Sequence, residues 1–341
     1  PPPSPGPVAL AGRGGPVGRV PSLRAALPPR HSVRPDPGAG PPPPALVEDP
    51  VPGAHRPRTR GRTGSWLSPL RRAFSRRERI AVACATNEHY AVGTAVTLRS
   101  AIDALGEEAR LDVTVIDGGL SEQARRNLVD SWPEARVRFV WPGFSSVSGL
   151  FLSEGMQPIV YTRLLPPRLL PRVQKIVYLD SDLLIRRDLR EVWQTDLAGR
   201  ATAAVPDVLS PTLAHIPHHA EIGLPPEAPY CSTGVLLMDL EAWRREKIGQ
   251  RTIEFVRAHP ECIRWWDQDG LNAVLRGEWT PLDPRWNVTT EAARLLGWQP
   301  PADWKEHVES LVASPHATRF ATRYKPWKHA CPHPKTADFL A

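Results

Sequence analysis

Apolar and polar positions follow no sustained period over the first seventy residues of the chain and become regular afterwards. From Ile80 onward, short apolar runs alternate with mixed stretches of helical length. Ile80–Ala85 reads as a buried strand, broken by Thr86-Asn87-Glu88-His89, and a helix is predicted from Ala91 to Leu105 with Gly106 as its cap. Leu111–Ile116 is a second strand, closed by a turn at Gly118-Gly119. Ser121 caps a polar helix running to Trp132, where Pro133 stops it. Val137–Val140, Lys175–Leu179, Thr202–Val205 and Gly234–Met238 complete the predicted strands. Strands spaced by helices specify an α/β domain with a mostly parallel central sheet. Such sheets bind ligands beyond the carboxyl ends of their strands, which directs attention to Thr86–Tyr90, Asp180–Asp182 and Tyr230–Gly234.

Composition explains the silent region. Of the 40 prolines, 19 precede Ile80, together with 14 arginines, no lysine and only 4 acids. The excess positive charge therefore belongs to an arm, residues 1–78, that reads as disordered because it lacks the apolar surface needed to offset chain entropy. The remaining 262 residues carry 29 basic and 32 acidic side chains, which argues against a basic body built to hold nucleic acid. Arg71, Arg72, Arg76, Arg77 and Arg79 cluster just before the first strand, as a solvated linker or a peripheral contact with an anionic membrane face. Cys84, Cys231, Cys262 and Cys331 are far apart and form no C-x-x-C pair, a usage expected in a reducing cytoplasm, with association at the inner membrane face as a variant. The folded part is expected as one domain over residues 79–330, with 331–341 as a C-terminal tail.

The strongest chemical signal is Lys175-Ile-Val-Tyr-Leu-Asp180-Ser-Asp182-Leu-Leu-Ile185. Two acids interrupt an apolar run, and a buried charge needs a cation beside it. In extended backbone, residues two apart point to the same side, so Asp180 and Asp182 would share one oxygen-ligated divalent ion, Mn²⁺ or Mg²⁺.

This segment resembles the metal-and-nucleotide motif of family 8 glycosyltransferases, the retaining GT-A type enzymes that include bacterial lipopolysaccharide galactosyltransferases and glycogenin. Further segments agree in order: Thr86-Asn87-Glu88-His89-Tyr90, Tyr161-Thr162-Arg163-Leu164, Ser232-Thr233-Gly234-Val-Leu-Leu, Trp266-Asp267-Gln268-Asp269 and Lys325-Pro326-Trp327. The resemblance spans about Arg79 to His329 and implies a GT-A-like fold. It also implies metal-dependent retaining transfer of a hexose, from UDP-glucose or UDP-galactose, to a hydroxyl of a glycan or lipopolysaccharide-like glycolipid. By the same resemblance, Thr86, Asn87 and Tyr90 contact the base, although the family commonly has Asp in place of Asn87, and Ser181 touches the ribose. Arg163 orients the donor and Lys325 pairs with the diphosphate. Asp267 binds donor-sugar hydroxyls, and Gln268 lies beside the anomeric carbon, stabilising charge rather than attacking. Asp269, on the next helical position, is a structural acid.

The chain departs from this pattern at one place. The family has a metal-binding His six residues before the Lys of Lys-Pro-Trp, and here that position is Arg319, which has no free lone pair. Either His316 completes the metal site with Asp180 and Asp182, which is the favoured reading, or Arg319 itself grips the diphosphate. His215, His218 and His219 are expected on a surface loop. A phosphatase of the haloacid dehalogenase type is set aside, because its Asp-x-Asp belongs to the first strand. A non-catalytic sugar-nucleotide-binding or scaffold protein with a Pro-rich recruiting arm stands as the alternative function.

Overall fold

The computed structural model describes residues 77–341, except 108, 296, 329 and 330. The Pro/Arg-rich arm, apart from its last two residues, lies outside the described residues. Among the described residues there are nine strands: β1 (Glu78–Thr86), β2 (Ala109–Asp117), β3 (Arg136–Val140), β4 (Lys175–Leu179), β5 (Leu183–Ile185), β6 (Thr202–Pro206), β7 (Cys231–Asp239), β8 (Thr280–Pro281) and β9 (Ala317–Arg319). Seven form one sheet in the order β3-β2-β1-β4-β7-β6-β8. The pairs β3–β2, β2–β1, β1–β4 and β6–β8 are parallel, whereas β7 runs antiparallel to both β4 and β6. The mostly parallel α/β architecture read from the pattern is the one observed.

The central strands are apolar on both faces because both faces are covered. Val82, Cys84, Val177 and Leu237 face one core with Leu98 and Ala101 of the helix Ala91–Asp103. Ala83, Ile176, Tyr178 and Leu236 face the other, with Trp243, Ile253 and Leu271. The Ser121 hydroxyl accepts the Ala124 N–H and opens the helix Glu122–Asp130 as expected. The first helix ends at Asp103, and Gly106 keeps a negative φ, so it is no left-handed cap.

A second sheet of two antiparallel strands, β5 and β9, was not legible in the pattern, which would run the fourth strand on through Leu183-Leu184. The chain instead turns at Asp180–Asp182. Thr97 pins the departing strand, its hydroxyl donating to Leu183 O at 2.9 Å and accepting Leu183 N–H at 3.0 Å. The last segment carries a short helix, Thr336–Leu340, whose Phe339 is buried against Phe320 and Trp327. Among the described residues, no helix is long and apolar enough to cross a membrane.

Candidate active site

The carboxyl ends of β1, β4 and β6 and the start of antiparallel β7 lie along one edge of the sheet. That edge collects Asn87, Asp180, Asp207 and Thr233. The helix Asp267–Leu275 adds Asp267 and Gln268 from its first turn, and β9 adds Arg319.

Asp180 and Asp182 sit on a turn between two strands rather than on one extended strand, so the turn and not strand alternation sets their side-chain directions. Both are buried, and both are ion-paired. Arg163 Nη1 lies 2.8 Å from Asp180 Oδ1, and Arg163 Nε lies 2.7 Å from Asp267 Oδ2. The same guanidinium donates to Thr233 O at 2.7 Å. Arg319 pairs with the second oxygen of Asp180, and its Nε lies 3.5 Å from Asp182 Oδ1. Lys325 Nζ donates to Asp182 Oδ2 and to Phe320 O, each at 2.6 Å. Three acids and three bases thus form one buried network. Burial opposes ionisation of Asp182, yet Lys325 and Arg319 hold its carboxyl below the ordinary value. Asp267 behaves oppositely: burial dominates, the Arg163 cation only partly offsets it, and its pKa is pushed up to about 6.

Gln268 is fixed at both ends of its amide. Its Oε1 accepts Thr233 N–H at 3.1 Å, and its Nε2 donates to Asp207 Oδ2 at 3.1 Å. Asp269 accepts Tyr230 Oη–H and the backbone N–H groups of Arg264 and Trp265, all at 2.6 Å, and points away into the fold. Asp207 was not singled out by sequence, although an acid directly after a strand at this edge is a recognisable signal. Burial raises its carboxyl above the ordinary value.

On the β1 side, Thr86 and Asn87 are buried, and Asn87 Nδ2 donates to Gln157 Oε1 at 2.6 Å. The Tyr90 ring stands under Lys325 Nζ, 5.4 Å from the ring centroid, and edge-on to Trp327. Trp327 Nε1 donates to His89 O, which closes the Lys-Pro-Trp segment over this loop. Ser181 is half-buried on the turn. A Cβ on Gly93 would lie 2.4 Å from Ser181 O and 2.5 Å from the Trp327 ring, so only glycine lets these three segments meet. His215 and His218 are exposed and His219 half-buried, on the loop where they were expected.

The structure does not bring His316 to the carboxylate pair. Asp182 O accepts Phe320 N–H, whereas His316 O accepts Arg186 N–H, four residues farther along the antiparallel ladder. Four residues of strand span about 13 Å. The His316 ring packs edge-on to Trp286 and lies 3.9 Å from Glu191. His316 as third metal ligand is therefore corrected: strand register carries it away and delivers Arg319 instead. Among the described residues, the one set of three donor atoms within 4.8 Å of one another is His259, Glu261 and Cys262, which includes none of these. A divalent ion shared by Asp180 and Asp182 does not fit the residues as placed. Arg319 pairs with Asp180 and stands 3.5 Å from Asp182 Oδ1, an oxygen that accepts no hydrogen bond among the described residues, and Arg163, Arg319 and Lys325 already pair with the acids.

Comparison with known proteins finds the same fold. The chain is 25% identical over 265 residues to General stress protein A of Bacillus subtilis (strain 168), covering 76% of this chain and 91% of that protein. The crystal structure of the galactosyltransferase LgtC in complex with donor and acceptor sugar analogues superposes with a TM-score of 0.63 at 23% identity, covering 76% of this chain and 94% of that one. An active-site mutant of LgtC gives 0.65 at 22% identity and the same coverage. Residues 81–331 match the model of Glycosyl transferase family 8, a family whose members typically use a divalent metal. With the sheet order, the carboxylate turn and the Asp-Gln-Asp helix start all inside that match, the chain belongs to glycosyltransferase family 8.

Proposed function

We propose that this glycosyltransferase moves a hexosyl group, glucose or galactose, from a uridine diphosphate sugar to a hydroxyl of a glycan or glycolipid, with retention at the anomeric carbon. The observation that carries the reading is the placement of Gln268. Its amide is clamped by Thr233 and Asp207 at the sheet edge, one residue from buried Asp267. A clamped amide is a poor nucleophile but a fixed dipole, and fixed dipoles stabilise charge that develops during reaction. Asp267 would accept donor-sugar hydroxyls, with Arg163 acting through it as a positioning residue. Thr86, Asn87 and Tyr90 would hold the base, Ser181 the ribose and Lys325 the diphosphate. Attack by the acceptor hydroxyl from the leaving-group side forms the new C–O bond. The electron pair of the broken bond goes to the diphosphate oxygen, which takes the acceptor's proton. In this scheme the carboxylate pair takes no Mn²⁺ or Mg²⁺, because Arg319 pairs with Asp180 and stands 3.5 Å from Asp182.

The test is release of UDP and free sugar from a panel of UDP-hexoses by the full chain, followed by NMR of the product anomer when an acceptor is supplied. Turnover of one hexose donor supports the reading, and an inverted product overturns the stereochemical part. Tight binding without turnover of any donor would favour the alternative, a non-catalytic sugar-nucleotide-binding protein.

A further inference from the structure

We infer that Arg319, paired with Asp180 and standing beside Asp182, takes the place of the divalent ion at the donor diphosphate, so that this chain binds and turns over its donor without metal. The inference rests on the nucleotide-sugar reading above and concerns how that same site neutralises the leaving group.

Four observations converge. The first is charge. Asp180, Asp182 and Asp267 are ion-paired with Arg163, Arg319 and Lys325, and Asp207 faces Arg319 from the next strand end, so Arg319 stands among acids as the site's central cation. A divalent ion added between the two carboxylates would lie against the Arg319 guanidinium, and like charges in a buried site repel strongly.

The second is access. The Arg319 side chain keeps 18% of its surface exposed, compared with 7% for Arg163 and 5% for Lys325. Of the three cations it is the one an incoming anion reaches. Its Nη1 makes only a long contact, 3.4 Å, to Ser232 Oγ, which a phosphate oxygen can replace. Guanidinium presents planar paired donors that match phosphate oxygens, so one face can stay on Asp180 while the other takes the diphosphate.

The third is preorganisation. Arg319 pairs with Leu183 in the β5–β9 ladder, and its N–H donates to Val288 O, so backbone on both sides fixes its origin. Burial and strand register, not side-chain chance, put it beside the turn.

The fourth is space. A Cβ on Gly234 would lie 2.8 Å from Asn287 Oδ1, 2.9 Å from Arg319 Nη1 and 3.1 Å from its Cδ. Glycine at that point of β7 leaves the room the guanidinium occupies. The same strand accepts Asp180 N–H at Gly234 O, so carboxylate and guanidinium are registered against one residue.

In this arrangement Asp180 and Asp182 are positioning residues for Arg319 rather than metal ligands. When the anomeric C–O bond breaks, the charge gathering on the diphosphate is met by Arg319 and Lys325, and the acceptor's proton leaves on the diphosphate oxygen.

The experiment is calorimetric titration of the full chain with UDP, in excess EDTA and again with Mn²⁺, alongside Mn²⁺ binding read by loss of the free-ion EPR signal. The expected result is a UDP dissociation constant that agrees within about threefold between the two conditions, with no Mn²⁺ bound in the absence of nucleotide. Arg319→Ala should weaken UDP by about 30-fold or more, the usual scale for removing one partner of a buried charge pair, while uridine binding changes little. Arg319→Lys, which keeps the charge and loses the fork, should fall between them and guards against a folding defect in the alanine variant. UDP binding by the unaltered chain that needs Mn²⁺, tightening about tenfold or more with it, overturns the inference while leaving the donor reading standing. Failure of UDP to bind in either condition overturns the donor reading and this inference with it.

Discussion

Replacing Arg163 by Met tests the buried charge network without adding bulk. The guanidinium serves Asp180, Asp267 and Thr233 O at once. Asp180 keeps Arg319 as a partner after the change, but among the described residues Asp267 makes no other ion pair. The cost at Asp267 is bounded by protonation. With a folded pKa of about 6, its ionised form already costs the native state about 3 kcal/mol at pH 7.5 relative to an ordinary carboxyl. A fully neutral Asp267 in Arg163→Met would cost about 5 kcal/mol at that pH, so the added penalty is about 2 kcal/mol. At pH 6, where the unaltered side chain is itself half protonated, the added penalty shrinks to less than about 0.5 kcal/mol. The lost charge-assisted hydrogen bond to Thr233 O adds about 2 kcal/mol at both pH values. Urea unfolding followed by tryptophan fluorescence should therefore show a destabilisation of about 4 kcal/mol at pH 7.5 that falls to about 2 kcal/mol at pH 6. A loss that is equal at the two pH values, or larger at pH 6, would refute the reasoning.

Three further outcomes are expected. Because the Asp267 pKa is raised, its contribution favours the fold at low pH and is lost as pH rises through about 6; Asp267→Asn should remove a fall of about 2 kcal/mol between pH 4.5 and 6.5 from the stability profile, as read by urea midpoints. Gln268→Ala removes the fixed amide and should lower kcat by about 10²–10³ with little change in donor KM, whereas a change confined to KM would assign Gln268 to binding alone. Gly234→Ala puts a methyl group 2.9 Å from Arg319 Nη1, and should cost about 1–3 kcal/mol in stability and weaken UDP binding; unchanged UDP affinity would show that Arg319 is not seated there for the donor.

Much of this protein is legible in its sequence for a local reason. Apolar runs with strand length, such as Lys175–Leu179, report burial on both faces, and Ser121 caps its helix through atoms three residues away. The same local logic marked Thr86–Tyr90, Asp180–Asp182 and Tyr230–Gly234 as strand-end segments, and the sheet order sets them along one edge. What local pattern could not supply was the partner of each acid. Asp207 meets Gln268 across 61 residues, and Lys325 meets Asp182 across 143. The choice between His316 and Arg319 was decided by the register of β9 against β5, a pairing of two three-residue strands far apart in the chain. Strands that short carry almost no signal of their own. Residue type and order are local properties that the chain states outright, whereas which cation stands between two buried carboxylates is set by long-range pairing, and only the folded chain determines it.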